Sequence, residues 1–240
     1  GGALLVDQTD TPIKRADGLY APFVFFKRSD VQHLDTWRVT GLSGSGSTDY
    51  QVSDVFVPEG RWVQLMTATP RLDGPQWRFP FYGILAMGIA AVTVGLLDGA
   101  VERFAELATE KKPAGSGRTL AERASGQITV STAEATARSA RAFLHDAVGE
   151  AWGMALTGQP LTVEHRRSLR LAACDATQRC ADALTHLQRE AGGSAVYLNE
   201  PLQRIIRDGQ VAATHAMVAP RIHELTGRLR FGLQTDTTFL

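Results

Sequence analysis

The sequence predicts an α+β fold in which a short β portion precedes an up-and-down bundle of four long helices. Apolar residues alternate with a period of about two as far as residue 65 and with a period of about 3.6 after residue 80. The chain is 44% hydrophobic and 21% charged, which is enough to bury a core. We therefore expect two folded parts of different class.

Residues 1–65 are predicted to form the β portion. Its expected strands are Ala21–Phe26, Trp37–Thr40 and Tyr50–Val57, with a glycine-serine turn at Gly41–Ser47. Because so few strands leave open sheet edges, and because the chain lacks an initiator Met, we expect further structure to precede residue 1. Prolines and a glycine make residues 66–80 a predicted linker, and residues 81–240 are the predicted helical domain.

The first helix is predicted from Phe81 to about Thr109, since Lys111-Lys112-Pro113 suits a helix C-terminus. It includes most of an uncharged stretch of nineteen residues, Phe79–Leu97, whose length approaches that of a membrane span. No cationic cluster flanks the stretch and an amphipathic segment continues it. We expect a central buried helix, with a membrane span as the alternative.

The three later helices follow from caps and periodicity. The second is expected to open at a T-x-x-E capping box, Thr119–Glu122, and to stop near Gly158. The third, about 162–191, has a single apolar stripe that includes Cys180, so this cysteine is expected to be a core residue. The fourth is expected to run from Pro201 to Pro220.

Composition and motifs disfavour several functions. The 25 Lys and Arg residues balance the 25 Asp and Glu residues, so the chain has no net positive charge that would attract nucleic acid. The two cysteines suggest no disulfide framework, which favours a cytoplasmic setting, and the six histidines lack metal-ligand spacing, so no metal is expected. The signatures of P-loop enzymes, serine hydrolases and zincins do not occur. The glycines of Gly41–Gly46 precede a predicted strand, whereas a dinucleotide fingerprint opens a helix.

One histidine has a setting that suits chemistry. His215 follows Arg207 and Asp208 on the predicted fourth helix, next to alanines that would let a planar ligand approach. From spacing alone, however, a helix-surface or hydrogen-bonded core histidine is the more common explanation.

Several segments resemble the acyl-CoA dehydrogenase-like flavoproteins. Residues 37–59, WRVTGLSGSGSTDYQVSDVFVPE, are similar to a glycine-rich segment of their β domain. Residues 191–197 (AGGSAVY), 201–208 (PLQRIIRD) and 212–215 (AATH) are similar to their last helices. The resemblance covers nearly the whole chain and is closest to the oxygenase components of two-component flavin-dependent monooxygenases.

This resemblance implies the C-terminal half of a barrel-like β domain, followed by the complete bundle, with the N-terminal part of the family's fold missing. It implies reduced FMN or FAD supplied by a separate flavin reductase, O2, and a small aromatic or heteroaromatic substrate. It also implies a homotetramer with the bundle as its core, without a nucleic-acid or membrane partner. His215 is then similar to a side chain beside the flavin, which could donate a hydrogen bond to the C4a-(hydro)peroxyflavin.

The same resemblance suggests cofactor-binding residues. Gly192, Gly193 and Ser194 would approach the flavin phosphate or ribityl chain, although the glycines serve equally as a helix cap. Lys111 and Lys112 match a basic loop that reaches a neighbouring subunit's flavin phosphate, and a solvated helix terminus is the alternative.

Two other functions remain open. An acyl-CoA dehydrogenase relative acting on a thioester would need a glutamate base, and the two expected positions fall on Ala216 and near Phe81, neither of which is a carboxylate. A flavin-free helical interaction module, or a fragment without activity, is the third possibility.

Overall fold

A computed structural model describes residues 9, 11, 23–64, 68–238 and 240. The chain divides into two compact units. One comprises Gly1–Arg38 and Ser43–Asp73, and the other comprises Val39–Leu42 and Gly74–Leu240. The start of the predicted strand Ala21–Phe26 and part of the predicted linker lie outside the described residues.

Within its described residues, the first unit contains two small antiparallel sheets. Strand β1 (Phe23–Val24) pairs with β4 (Trp62–Val63), and β2 (Gln32–His33) pairs with β3 (Tyr50–Gln51). The β portion is thus confirmed as a class, but the structure shortens its predicted strands.

Two strand predictions are wrong in their extent. Trp37–Thr40 forms no strand, and β3 ends at Gln51 although the apolar alternation continues to Val57. Asp54 adopts a left-handed backbone with φ 52°, which breaks the extended conformation that the alternation implied. The alternation of apolar residues therefore did not predict where strand pairing ends.

The second unit is a bundle of five α-helices, against four predicted. They are α1 (Phe81–Glu110), α2 (Ala124–Leu156), α3 (Val163–Ala191), α4 (Pro201–Ala213) and α5 (Arg221–Arg230). α3 packs against each of the other four, so its apolar stripe is the centre of the core. Small residues dominate that core, and close helix packing follows: a Cβ added at Gly209 of α4 would lie 2.2 Å from Leu184 Cδ1 of α3.

The prediction of a buried first helix is right for one face only. Ala86, Ala90 and Leu97 are fully buried against the rest of the bundle. Ile84 and Val92 remain 47% and 51% exposed on another face. Among the described helices, α1 alone has the length and apolar composition of a membrane span, and 33% of its most apolar window is buried.

The predicted capping box does not begin a helix. Glu122 Oε2 accepts hydrogen bonds from Thr119 N at 2.6 Å and from Thr119 Oγ1 at 3.0 Å, so the threonine hydroxyl is a donor to the carboxylate here. α2 begins later, at Ala124. A reciprocal capping box occurs instead at α3, where Thr162 and His165 exchange hydrogen bonds of 3.3 Å.

Candidate functional site

His215 lies beyond the helix on which the sequence placed it. α4 ends at Ala213, and a short 3-10 helix, Ala216–Val218, follows before α5. The side chain of Gln178 explains the break, because its Nε2 donates to the carbonyl oxygens of Ala213 (3.0 Å) and Val218 (2.9 Å). Terminal carbonyls that obtain a side-chain partner need no further turn of helix.

The hydrogen bond of His215 determines which of its ring nitrogens can donate. Its Nδ1 accepts from the backbone N–H of Met217 at 3.2 Å, capping the 3-10 helix. A neutral imidazole that accepts at Nδ1 carries its proton on Nε2. The exposed ring therefore presents an N–H donor to whatever approaches it.

Lys111 and Gly192 lie close together at the C-terminal end of α3. Lys111 Nζ donates a hydrogen bond to the carbonyl oxygen of Ala191, the last residue of α3. Gly192 has φ 56°, and a Cβ added there would lie 3.6 Å from Lys111 Nζ. The lysine thus places a positive charge at the C-terminal end of α3, where it is favourable, and its side chain does not simply extend into solvent as the alternative of a solvated helix terminus expected.

The other three cofactor-binding residues that the resemblance suggests leave hydrogen-bond donors accessible. Lys112 and Gly193 are exposed and Ser194 is half-buried in the 3-10 helix Gly192–Val196. This turn and His215 flank opposite ends of α4, whose thirteen residues span about 20 Å. His215 and the Gly192–Ser194 turn are therefore too far apart to contact the same atoms of a ligand.

The glycine-rich motif begins by docking on α4. Leu42 N donates to Asp208 Oδ1 at 2.6 Å, and Arg207 Nη1 donates to the carbonyl oxygen of Thr40 at 2.7 Å. Gly41 makes this approach possible, because a Cβ there would lie 2.4 Å from the carbonyl oxygen of Arg207. The arginine-aspartate pair of α4 therefore holds backbone atoms of the motif.

Beside the His215 turn lies a cavity of about 500 Å³ that sequence reasoning missed. Its wall includes Ala216 and Met217, the two residues that follow His215. Arg170 of α3 also lines it, and this side chain is only 1% exposed. A sequence signal existed: the next positions after Arg170 at helical spacing are Cys174 and Thr177, so the face that continues from Arg170 is uncharged.

The cysteines behave as core residues. Burial raises the pKa of Cys174 to about 11 and that of Cys180 to about 12, so both remain thiols at neutral pH. Cys174 Sγ also donates to the carbonyl oxygens of Val218 and Ala219. Within the part of the chain that the structure describes, no group of three His, Cys, Asp or Glu side chains could hold a metal ion.

The fold and this site together define a flavoprotein-type helical bundle of the acyl-CoA dehydrogenase class. The family model for the acyl-CoA dehydrogenase C-terminal domain matches residues 87–220, and the chain belongs to this family. Phe81 and Ala216 stand at the start of α1 and in the 3-10 helix after His215, so both expected base positions of the thioester dehydrogenases lack a carboxylate.

Known relatives agree with this class. Indole-3-acetate monooxygenase of Pseudomonas putida is 32% identical over 207 residues, covering 86% of this chain and 53% of the relative. The oxygenase subunit HsaA, a flavin-dependent monooxygenase of Rhodococcus jostii, is 29% identical over 233 residues, covering 92% and 61%. The crystallised XiaF of Streptomyces, in complex with FADH2, superposes with a TM-score of 0.86 at 24% identity, covering 97% and 59%. The chain thus spans about half to three fifths of the length of these relatives.

Proposed function

We propose that this chain is part of the oxygenase component of a two-component flavin monooxygenase that hydroxylates a small aromatic or heteroaromatic substrate. The names of the relatives support a flavin-dependent monooxygenase, and an aromatic acid, indole-3-acetate, is the substrate in one of those names. Reduced flavin, FMN or FAD, delivered by a separate reductase, would supply the electrons that activate O2. The protein would act in the cytoplasm.

The observation that carries this proposal is the fixed donor of His215. Its Nδ1 accepts from Met217 N, which leaves Nε2 as the donor, and the two residues after His215 line a cavity large enough for a small aromatic molecule. A donor held in advance stabilises developing negative charge on oxygen without reorganisation. The residue thus fits a role beside the reactive end of a flavin.

The exposed turn at the other end of α4 fits a different part of a cofactor. Gly193 has no atom within 4 Å of an added Cβ, so its backbone can approach a ligand closely. With Ser194 and Lys112 it offers backbone, hydroxyl and ammonium donors of the kind that bind phosphate. Because α4 separates this turn from His215, we assign the two sites to different flavins of a homotetramer.

The exposed face of α1 supports that assembly. Ile84, Leu85 and Val92 lie on it, and added Cβ atoms at Gly88 and Gly95 would meet nothing within 4 Å. An apolar helix face with small residues lets a second helix approach closely, and we propose that another subunit covers it.

Substitution of His215 tests the function. In the protein with its reductase, His215→Ala is expected to leave reduced-flavin binding intact while hydrogen peroxide release rises and hydroxylated product falls about tenfold to a hundredfold. His186→Ala, which removes an exposed histidine of α3, is the matched control and should change neither yield. The reasoning fails if the His215 variant couples oxygen consumption to product as well as the control does.

A further inference from the structure

Arg170 is a buried cation, and not all of its N–H donors have a hydrogen-bond partner. Its Nη1 reaches the carbonyl oxygen of Tyr82 at 3.3 Å and Met217 Sδ at 3.8 Å, which are long contacts to neutral acceptors. Its Nε has no hydrogen-bond partner among the described residues. A guanidinium carries five N–H donors and remains charged in proteins, so burying it without an anionic partner is costly.

The surroundings of Arg170 increase this cost. The Arg221 guanidinium lies near enough to oppose its charge, and burial together with Arg221 lowers the pKa of Arg170 below its ordinary value. Arg228 lines the same cavity. The carboxylates of the lining are Glu224 and Asp236, and Asp236 already accepts hydrogen bonds from Thr238 N and Oγ1. Three arginines against two carboxylates leave the lining with a net positive charge.

Apart from Thr235, the rest of the lining is apolar. It is formed by Ala216, Met217, Ile222 and Leu225, so the cavity has an apolar wall with a buried cation at one side. Such a combination suits a ligand with a flat apolar body and an oxyanion at one end, because planar oxyanions pair with two guanidinium N–H groups at once.

We propose that Arg170 binds an oxyanion, a carboxylate or a phosphate, of the aromatic ligand that occupies this cavity. The two residues after His215 line this cavity, so a substrate anchored at Arg170 by its carboxylate would lie against the turn that carries His215. The turn Gly192–Ser194 stands at the other end of α3, about 30 Å from Arg170 along the helix, so a flavin phosphate bound at that turn could not also be bound by Arg170. This geometry favours the substrate's carboxylate as the oxyanion, and the substrate role rests on the proposed function.

Binding measurements separate the two sources of the oxyanion. Calorimetric titration of the protein would compare 4-hydroxyphenylacetate with its neutral amide, and FMN with riboflavin, which lacks the phosphate. We expect Arg170→Met to weaken binding of the acid about tenfold to a hundredfold and to change binding of the amide less than about threefold. Arg179→Met, on the same helix but paired with Asp175, is the matched control.

Two further variants guard against misfolding. Arg170→Lys keeps the charge and should retain part of the preference for the acid, and Arg221→Gln alters only an exposed arginine and should weaken the acid severalfold. A loss confined to FMN, with riboflavin unaffected, would also support an oxyanion site but would assign the oxyanion to the flavin. Equal affinity of the unmodified protein for acid and amide, and for FMN and riboflavin, would overturn the proposal.

The same proteins distinguish this inference from the proposed function. Preference for the acid without hydroxylated product, when reductase, flavin and O2 are supplied, would leave the oxyanion site standing and refute the monooxygenase role. Hydroxylation of acid and amide with equal affinity and equal kcat/KM would refute the oxyanion site and leave the monooxygenase role standing.

Discussion

Replacing Gly41 by alanine tests the docking of the glycine-rich motif on α4. The new Cβ would lie 2.4 Å from Arg207 O, 2.6 Å from Arg207 C and 2.9 Å from Asp208 N. All three are backbone atoms in a helix, so they cannot rotate away as a flexible side chain could. The segment Thr40–Leu42 must therefore move, and both of its hydrogen bonds to α4 lengthen or break.

The cost follows from those two bonds. A hydrogen bond to a charged group contributes about 1.5 to 3 kcal/mol, and the bond from Leu42 N to Asp208 is half-buried whereas the bond from Arg207 to Thr40 is exposed. We expect Gly41→Ala to lower the free energy of unfolding by about 2 kcal/mol. Urea denaturation measures this loss, and hydrogen exchange should show reduced protection at the Leu42 amide.

A glycine of the same motif provides the control. An added Cβ at Gly44 meets no atom within 4 Å, and Gly44 is exposed. Gly44→Ala should therefore change the free energy of unfolding by less than about 0.5 kcal/mol. If the two alanine variants unfold at the same urea concentration, the docking contributes no stability and the account of Gly41 is wrong.

Two further predictions concern an ion pair and the thiols. Arg103 Nε and Nη2 donate to the two carboxylate oxygens of Glu200 at 2.7 and 2.8 Å and hold the pKa of Glu200 below its usual 4.5. Glu200→Gln should cost about 1 to 2 kcal/mol at pH 7 in urea denaturation. This contribution is present above the unfolded-state pKa and disappears as pH falls through the lower folded-state pKa, so a difference that persists at pH 2 would contradict it. Because burial raises the pKa of Cys174 and Cys180, a thiol reagent at pH 8 should label both only after denaturation, and rapid labelling of the native protein would show that the thiols are accessible.

Sequence reasoning succeeded where one local signal was unopposed. The apolar period and the charges after it gave α1, and a stripe of small residues with a glycine cap gave α3 almost to the residue. It failed where a side chain competed with the backbone. The hydroxyl of Thr119 turned from acceptor to donor, and Gln178, thirty-five residues away, took the carbonyl of Ala213 that would have continued α4. Such partners are set by tertiary packing, which periodicity does not contain.

The candidate site shows the same division. Of the residues named from the resemblance, Lys112, Gly193 and Ser194 leave donors accessible, whereas Lys111 donates to the end of α3. The structure added which nitrogen of His215 can donate. Arg170 was missed because a charged residue in a helix usually lies on the solvated face. Its burial depends on α5 and the turn after α4, neither of which the sequence predicted correctly.

The docking of Leu42 on Asp208 also constrains the order of folding. The two residues are 166 positions apart, and closing a loop of that length costs about 4 to 5 kcal/mol of chain entropy. The contact cannot form until α4 has been synthesised. At about 5 to 20 residues per second, the ribosome completes α4 on the order of ten seconds or more after the motif. During that interval the contact with α4 is missing, so this long-range hydrogen bond is among the late contacts to form.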